Sequence, residues 1–213
     1  IDWKVYIMSK VAFVIGNGTS RCMFDLNLLK GHGTTYGCNI LYRESDNWQF
    51  PDWTVAIDDH PKEMIAEDNY PLDRCIYPPE EDCFEYAGYY QEMGQWGVKK
   101  GARSNAGMNA IIEAIKAKHD VIYLLGLDFM INGEQSVSNM FADTYKKENK
   151  CTYTDSKRRV RYFDWLCSKN AAIQFRMLFP REPKQYYHKL ESMNVTGMFY
   201  DQLEDTIATL NAK

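Results

Sequence analysis

Gly16-Asn17-Gly18-Thr19-Ser20-Arg21 is the segment whose composition most directly suggests chemistry. Glycines let a backbone come close to a ligand, and N–H groups opening a helix can hold a phosphate, so this turn is a candidate phosphate or nucleotide contact. The same residues also suit a plain glycine turn with Thr19 or Ser20 as a helix N-cap. Arg21 stands where G-x-G-x-x-G has its third glycine, and no G-x-x-x-x-G-K-[ST] occurs, which disfavours ordinary NAD binding and P-loop chemistry. Asn39, after Gly37-Cys38, could present its amide to a base or sugar. Asp58-Asp59-His60 offers paired carboxylates for Mg2+, Mn2+ or ribose hydroxyls and an imidazole base, or a solvated turn before Pro61.

Further along, Ser104-Asn105 precede Gly107 at the start of an apolar-periodic stretch, which gives one of them an N-cap role and Gly107 a close approach to a neighbour or ligand. Gly126-Leu127-Asp128 closes another apolar run, so Asp128 is a candidate for ribose binding, acid–base work or a turn. Lys146, Lys147, Lys150, Lys157, Arg158, Arg159 and Arg161 form a basic stretch that reads as a solvated helix face or, beside a phosphate, as a clamp. His32, His119 and His188 have no partner at metal or triad spacing, no metal-ligand set is read, and no G-x-S-x-G is present.

These residues need elements to position them. Val11 to Ile15 is a continuous apolar, β-favouring run closed by Gly16, the pattern of a strand buried on both faces. Phe24, Leu26, Leu28 and Leu29 then suggest a short helix stopped at Gly31 or Gly33. Residues 35–41 and 53–57 read as strands, and 74–77 as a short one before Pro78-Pro79. Met108, Ile111, Ile112 and Ile115 recur at helical spacing within a helix over 104–118, and Val121 to Leu125 is a further buried strand. Apolar positions between Lys157 and Phe179 suggest one long helix stopped by Pro180, followed by a strand-like Gln185 to Tyr187 and an amphipathic tail. Residues 80–102 and 132–156 read as loop-rich insertions, the second as a candidate lid. Alternating strands and helices imply βα units, hence a three-layer Rossmann-like α/β fold with a mostly parallel sheet and helices on both faces. In such sheets ligands bind beyond the carboxyl ends of the strands, where the polar residues above lie.

With 213 residues, 45% hydrophobic and 25% charged, the chain is long enough for one folded domain. The formal net charge of −4 gives no broad nucleic-acid-binding field. No run approaches the roughly 18 apolar residues of a membrane span, and a secretory signal is not evident, so a cytoplasmic protein with reduced cysteines is expected. Met8-Ser9-Lys10 before the first strand resembles a natural start, with residues 1–7 upstream of it and 8–213 forming the single domain.

The motifs Val14-Ile15-Gly16-Asn17-Gly18-Thr19-Ser20, Gly37-Cys38-Asn39, Ser104-x-x-Gly107 and Leu125-Gly126-Leu127-Asp128-Phe129 together resemble a group of Rossmann-like proteins. The group includes bacterial CMP-sialic-acid-dependent sialyltransferases and relatives of the 6-hydroxymethylpterin pyrophosphokinases, and small uncharacterised proteins of marine phages and bacteria are also similar. The resemblance implies nucleotide contacts at Asn17, Gly18, Ser20 and Asn39, with Ser104 matching the helix-start serine. It also implies a metal-independent reaction with a histidine base after the last nucleotide-binding strand, yet no His lies between Asp128 and His188. The functional expectation is a nucleotide-sugar-dependent glycosyltransferase-like enzyme. Its nucleotide or nucleotide-sugar donor would lie at residues 16–21, near Asn39 and Asp128, with Asp58, Asp59 or His60 at the reacting centre. The alternatives are pyrophosphokinase-like transfer from ATP, in which Mg2+ would serve, and a non-catalytic nucleotide-binding module.

Overall fold

The computed structural model describes residues 10–128, 131–132, 139–145, 153–181, 186–187 and 190–211. Residues 1–7, Phe129, Lys146, Lys147, Lys150 and His188, together with part of the 132–156 segment, lie outside them.

Strands β1 (Val11–Ile15), β2 (Thr34–Cys38), β3 (Trp53–Val55) and β4 (Cys75–Ile76) fall where the β-favouring runs place them, though β2 and β3 end earlier than the apolar pattern suggests. Helices α1 (Asp59–Glu67), α2 (Ala87–Glu92) and α3 (Ala106–Lys116) precede β5 (Val121–Leu125). The remainder comprises β6 (Ile131–Asn132), α4 (Ala142–Tyr145), α5 (Tyr153–Lys169), β7 (Gln174–Phe179), β8 (Tyr186–Tyr187), β9 (Val195–Phe199) and α6 (Tyr200–Asn211). Seven strands form one parallel sheet in the order β4-β3-β2-β1-β5-β7-β9, and β6 pairs with β8 apart from it. The chain therefore folds as a three-layer Rossmann-like α/β structure.

Both faces of the central strands are apolar, so both must be covered. On one face Ala12, Val14, Ile122, Leu124 and Phe175 pack with Met108, Ile111 and Ala114 of α3 and Val160, Phe163 and Cys167 of α5. On the other, Phe13, Ile15, Leu125 and Leu178 meet Phe24, Leu29 and the α6 residues Leu203 and Ile207. A third cluster, Ile40, Tyr42, Ala56, Met64, Ile65 and Tyr70, seats α1. Among the described residues no helix is long and apolar enough to cross a membrane, and Cys22, Cys38, Cys75, Cys83 and Cys167 are free thiols.

Several expectations are corrected. The short helix expected before Gly31 is a 3-10 turn, Leu26–Leu29, preceded by another at Thr19–Arg21; Asp25 caps the former by accepting from Asn27 N at 2.9 Å. Asp58 to Pro61 begins α1 and is not a terminating turn, because proline in the first helical turn removes an N–H that has no intrahelical partner anyway. The long helix expected over 157–179 stops at Lys169. Its last six residues are β7, whose Gln174–Met177 stretch pairs with β5, and the tail supplies β9 to cover the next edge. Asn194 fixes this reversal: its Nδ2 donates to the carbonyls of Cys167, Asn170 and Ile173 at 2.8 to 3.1 Å.

Candidate functional site

In the sheet order β1 lies between β2, which follows it, and β5, which comes much later, so the connections diverge to either side at the β1/β5 pair. A crevice at the carboxyl ends of the strands is the usual consequence. The glycine turn after β1 lies against the end of β5: Gly16 N donates to Leu125 O at 2.8 Å and Gly18 N to Gly126 O at 2.9 Å. A Cβ on Gly16 would lie 2.3 Å from Gly126 O, and one on Gly18 would lie 2.2 Å from the Asp128 carboxyl carbon. Only glycine permits either approach.

Asp128 is the receptor for this turn. Ser20 N donates to its Oδ2 at 3.0 Å and Ser20 Oγ donates to its Oδ1, while burial pushes the carboxyl pKa up from its ordinary value. Neither Thr19 nor Ser20 therefore caps a helix; the N-cap of the 3-10 turn is Gly18, with no side-chain bond. Arg21 is 1% exposed, and its guanidinium faces inward. Its Nε donates to Gly16 O at 2.7 Å and its two terminal nitrogens donate to Glu44 at 2.7 and 2.8 Å. The charge is thus engaged by protein groups that hold the turn. Glu44 and Tyr200, whose hydroxyl accepts from Gly126 N at 3.1 Å, belong to this frame, and sequence reading missed both. Nothing in their local pattern marks them, because each reaches the turn only through the tertiary fold.

Beside this frame lies a polar edge. Asn17 is 8% exposed; its Nδ2 donates to Cys38 O at 3.0 Å, which brings it against Asn39 at the end of β2. Asn39 has φ 57° and its N–H donates to Val55 O at 2.9 Å, so the left-handed kink ends β2 while keeping it tied to β3. At the end of β3, Ile57 O accepts from the Arg103 guanidinium at 3.1 Å. That bond places the next residues, Ser104 and Asn105, at the same edge as α3 begins. Asn105 is the N-cap: its Oδ1 accepts from Met108 N at 2.9 Å. Gly107 lies buried in the first turn of α3. Asn17 Oδ1, Asn39 Oδ1, Ser104 Oγ and Asn105 Nδ2 are buried atoms that no protein group satisfies.

The acidic pair is arranged differently. Asp58 Oδ1 accepts from Arg103 Nε at 3.1 Å, Asp59 is 94% exposed, and half-exposed His60 has Nδ1 3.8 Å from Glu63. The two carboxylates do not converge on a cation position, and among the described residues no group of three or more His, Cys, Asp or Glu could hold a metal. Of the basic stretch, Arg158 is directed away from a phosphate role: its guanidinium donates to buried Glu85. Residues 139–141 cross the glycine turn. Met140 N donates to Asn17 O at 2.8 Å, Gly18 bridges Asn139, and Phe141 packs on the cluster that seats α1. Residues 139–141 belong to the segment read from the sequence as a candidate lid.

Neither a family model nor a curated protein matches the chain. Among solved structures, it is similar to the monofunctional α-2,3-sialyltransferase Cst-I from Campylobacter jejuni, at 14% identity and a TM-score of 0.50, covering 96% of this chain and 95% of that one. It is also similar to the sialyltransferase CstII from the same organism in complex with CMP-3FNeuAc, at 17% identity and a TM-score of 0.49, covering 88% and 94%. At these identities the likeness is one of fold.

Proposed function

We propose that this chain is a nucleotide-sugar-dependent glycosyltransferase of the sialyltransferase-like kind, with the donor's nucleotide over the ends of β1 and β2 and against the start of α3. The observation that carries this reading is the set of unsatisfied buried atoms on Asn17, Asn39, Ser104 and Asn105. A buried polar atom without a partner costs about 1–3 kcal/mol, so several on one strand edge are accounted for by a ligand that completes them. Two carbonyl oxygens ask for donors, an amide nitrogen asks for an acceptor, and a hydroxyl takes either. A base edge with ribose and phosphate oxygens supplies that mixture. The Cst-I fold, that of a sialyltransferase, supports the same reading.

In the proposed reaction the bond between the donor's anomeric carbon and the phosphate oxygen breaks, its electron pair leaving with the nucleotide. An acceptor hydroxyl oxygen bonds to that carbon and gives its proton to a base. His60, with Asp58 and Asp59 beside it, is the proposed proton acceptor. Asp128 is a positioning residue, since both its oxygens hold Ser20. Rate enhancement would rest mainly on alignment of donor and acceptor at the strand edge, because the N–H groups of Gly16, Gly18 and Ser20 are already engaged by Leu125, Gly126 and Asp128.

The test is release of CMP from CMP-sialic acid in the presence of a sugar acceptor, followed by chromatography. Asn17→Ala and Asn39→Ala should each raise KM by about tenfold, the equivalent of about 1.4 kcal/mol of binding. His60→Ala should lower kcat instead. Binding of CMP without turnover, unchanged by replacing Asp58, Asp59 and His60, would establish the non-catalytic binding module. The absence of any His between Asp128 and His188 favours that second reading.

A further inference from the structure

A cavity of about 780 Å3, apart from the strand edge, opens between the 80–102 segment, α3 and α5. None of the strand-edge residues lines it. Its volume is in the range of small-molecule sites, about 300–1,000 Å3. One wall is aromatic: Tyr86 stacks on Trp165 with centroids 5.9 Å apart and planes 27° apart, and Tyr162 stacks on Trp165 at 5.8 Å and 15°.

The wall is held in place by polar contacts behind it. Tyr86 N donates to Tyr162 Oη at 3.1 Å, and Trp165 Nε1 donates to Glu92 at 3.0 Å. Gly88 sets the remaining ring: a Cβ there would lie 2.4 Å from Tyr86 Cε1, so the glycine lets the Tyr86 ring lie back over α2. Tyr86 is nonetheless 63% exposed, a large ring left in water beside a cavity. Glu85, behind the wall, is not available to a ligand, because the Tyr90 hydroxyl and Arg158 both donate to it.

The rim decides which ligand fits. It carries both signs: Lys116 pairs with Asp82 at 3.0 Å and Lys100 with Glu80 at 3.9 Å, and Glu81 and Lys99 stand beside these pairs. A rim of balanced charge gives no net attraction to an anion or a cation, but it offers hydrogen-bond donors and acceptors together. A neutral sugar needs both for its hydroxyls, and the apolar C–H face of a pyranose packs on an aromatic plane. We propose that this cavity is a carbohydrate subsite that stacks a neutral pyranose on the exposed ring of Tyr86, which Trp165 backs, and holds its hydroxyls with the charged rim. Arg103 links the two sites, donating to Glu80 at 3.2 Å and to Asp58 at 3.1 Å, so the sugar lies beside the strand edge. The subsite follows from the cavity alone and does not depend on the nucleotide reading.

The experiment is calorimetric titration of the intact chain with lactose, cellobiose and chitobiose, with CMP titrated in parallel. At least one disaccharide should bind at millimolar concentration, and Tyr86→Ala should weaken it about tenfold while CMP binding stays as in the wild type. Trp165→Ala loses packing as well as the platform, so Gly88→Ala serves as the second variant. It is compatible with a helix and displaces the Tyr86 ring without deleting it, and it too should weaken the sugar. Absence of binding by all three disaccharides would overturn the subsite, as would binding that Tyr86→Ala and Gly88→Ala leave intact. CMP binding alone, without sugar binding, would leave the strand-edge reading standing and remove this one.

Discussion

Arg21 meets its partners at three atoms: the backbone of the turn it closes accepts one bond, and Glu44 accepts two. A cation this buried cannot lose its counterion without leaving the other charge stranded. Glu44→Ala, which strands the buried guanidinium, should therefore lower unfolding free energy by about 3–5 kcal/mol in urea denaturation, and Arg21→Lys should also destabilise, because an ammonium cannot make the forked contact. Asp128 behaves differently. Burial raises its pKa, so the folded state holds its proton more tightly than the unfolded chain; the resulting stabilisation is full below the unfolded pKa and is lost as pH rises through the folded one. Asp128→Asn keeps an acceptor for Ser20 and does not titrate. Wild type should lose stability relative to Asp128→Asn as pH is raised, by denaturation at acid and neutral pH, whereas Asp128→Ala should cost about 1–3 kcal/mol at either. Asn17, Asn39 and Ser104 stand out in the sequence as candidates because each lies where an element ends or begins. Glu44 and Tyr200 are not, since only tertiary folding brings them to the turn.

The elements show where periodicity succeeds and where it fails. β1, β5 and α3 carry uninterrupted apolar runs or a clear helical stripe, and the structure has them where those patterns lie. The stretch 157–179 misleads because apolar residues continue from α5 into β7, and the turn between them is marked only by Asn170 and the alanines after it. What decides it is nonlocal: the edge of β5 needs a partner, and β7 supplies one. At the start of α3 one residue bears on both stability and the proposed binding, because Asn105 uses its oxygen as cap and leaves its buried nitrogen without a partner. Asn105→Ala should cost about 1 kcal/mol of stability and weaken nucleotide binding. Asn105→Asp should recover the stability but not the binding, since it caps equally well and replaces the donor with a charge. Thermal unfolding with and without CMP checks both halves.

For the whole molecule, parallel pairing in the order β4-β3-β2-β1-β5-β7-β9 puts the ends of β1, β2, β3 and β5 on one edge, and the return of α3 brings Ser104 and Asn105 to it. Residues more than eighty positions apart thereby share a site whose polar atoms the protein itself leaves incomplete. The strap at 139–141 crosses that edge, and the aromatic cavity opens beside it. The sequence shows the parallel sheet through its alternating runs, but the seven-strand width is hidden, because β7 and β9 lie in stretches with helical or mixed character. The central claim is that the strand edge binds a nucleotide through these unsatisfied groups. Its most direct test is calorimetric titration of CMP into wild type and Asn17→Ala under matched conditions, with folding of both confirmed by circular dichroism. The account requires saturable binding to wild type and at least about a tenfold loss in the variant. No binding to folded wild type, or equal affinity in both proteins, would contradict it.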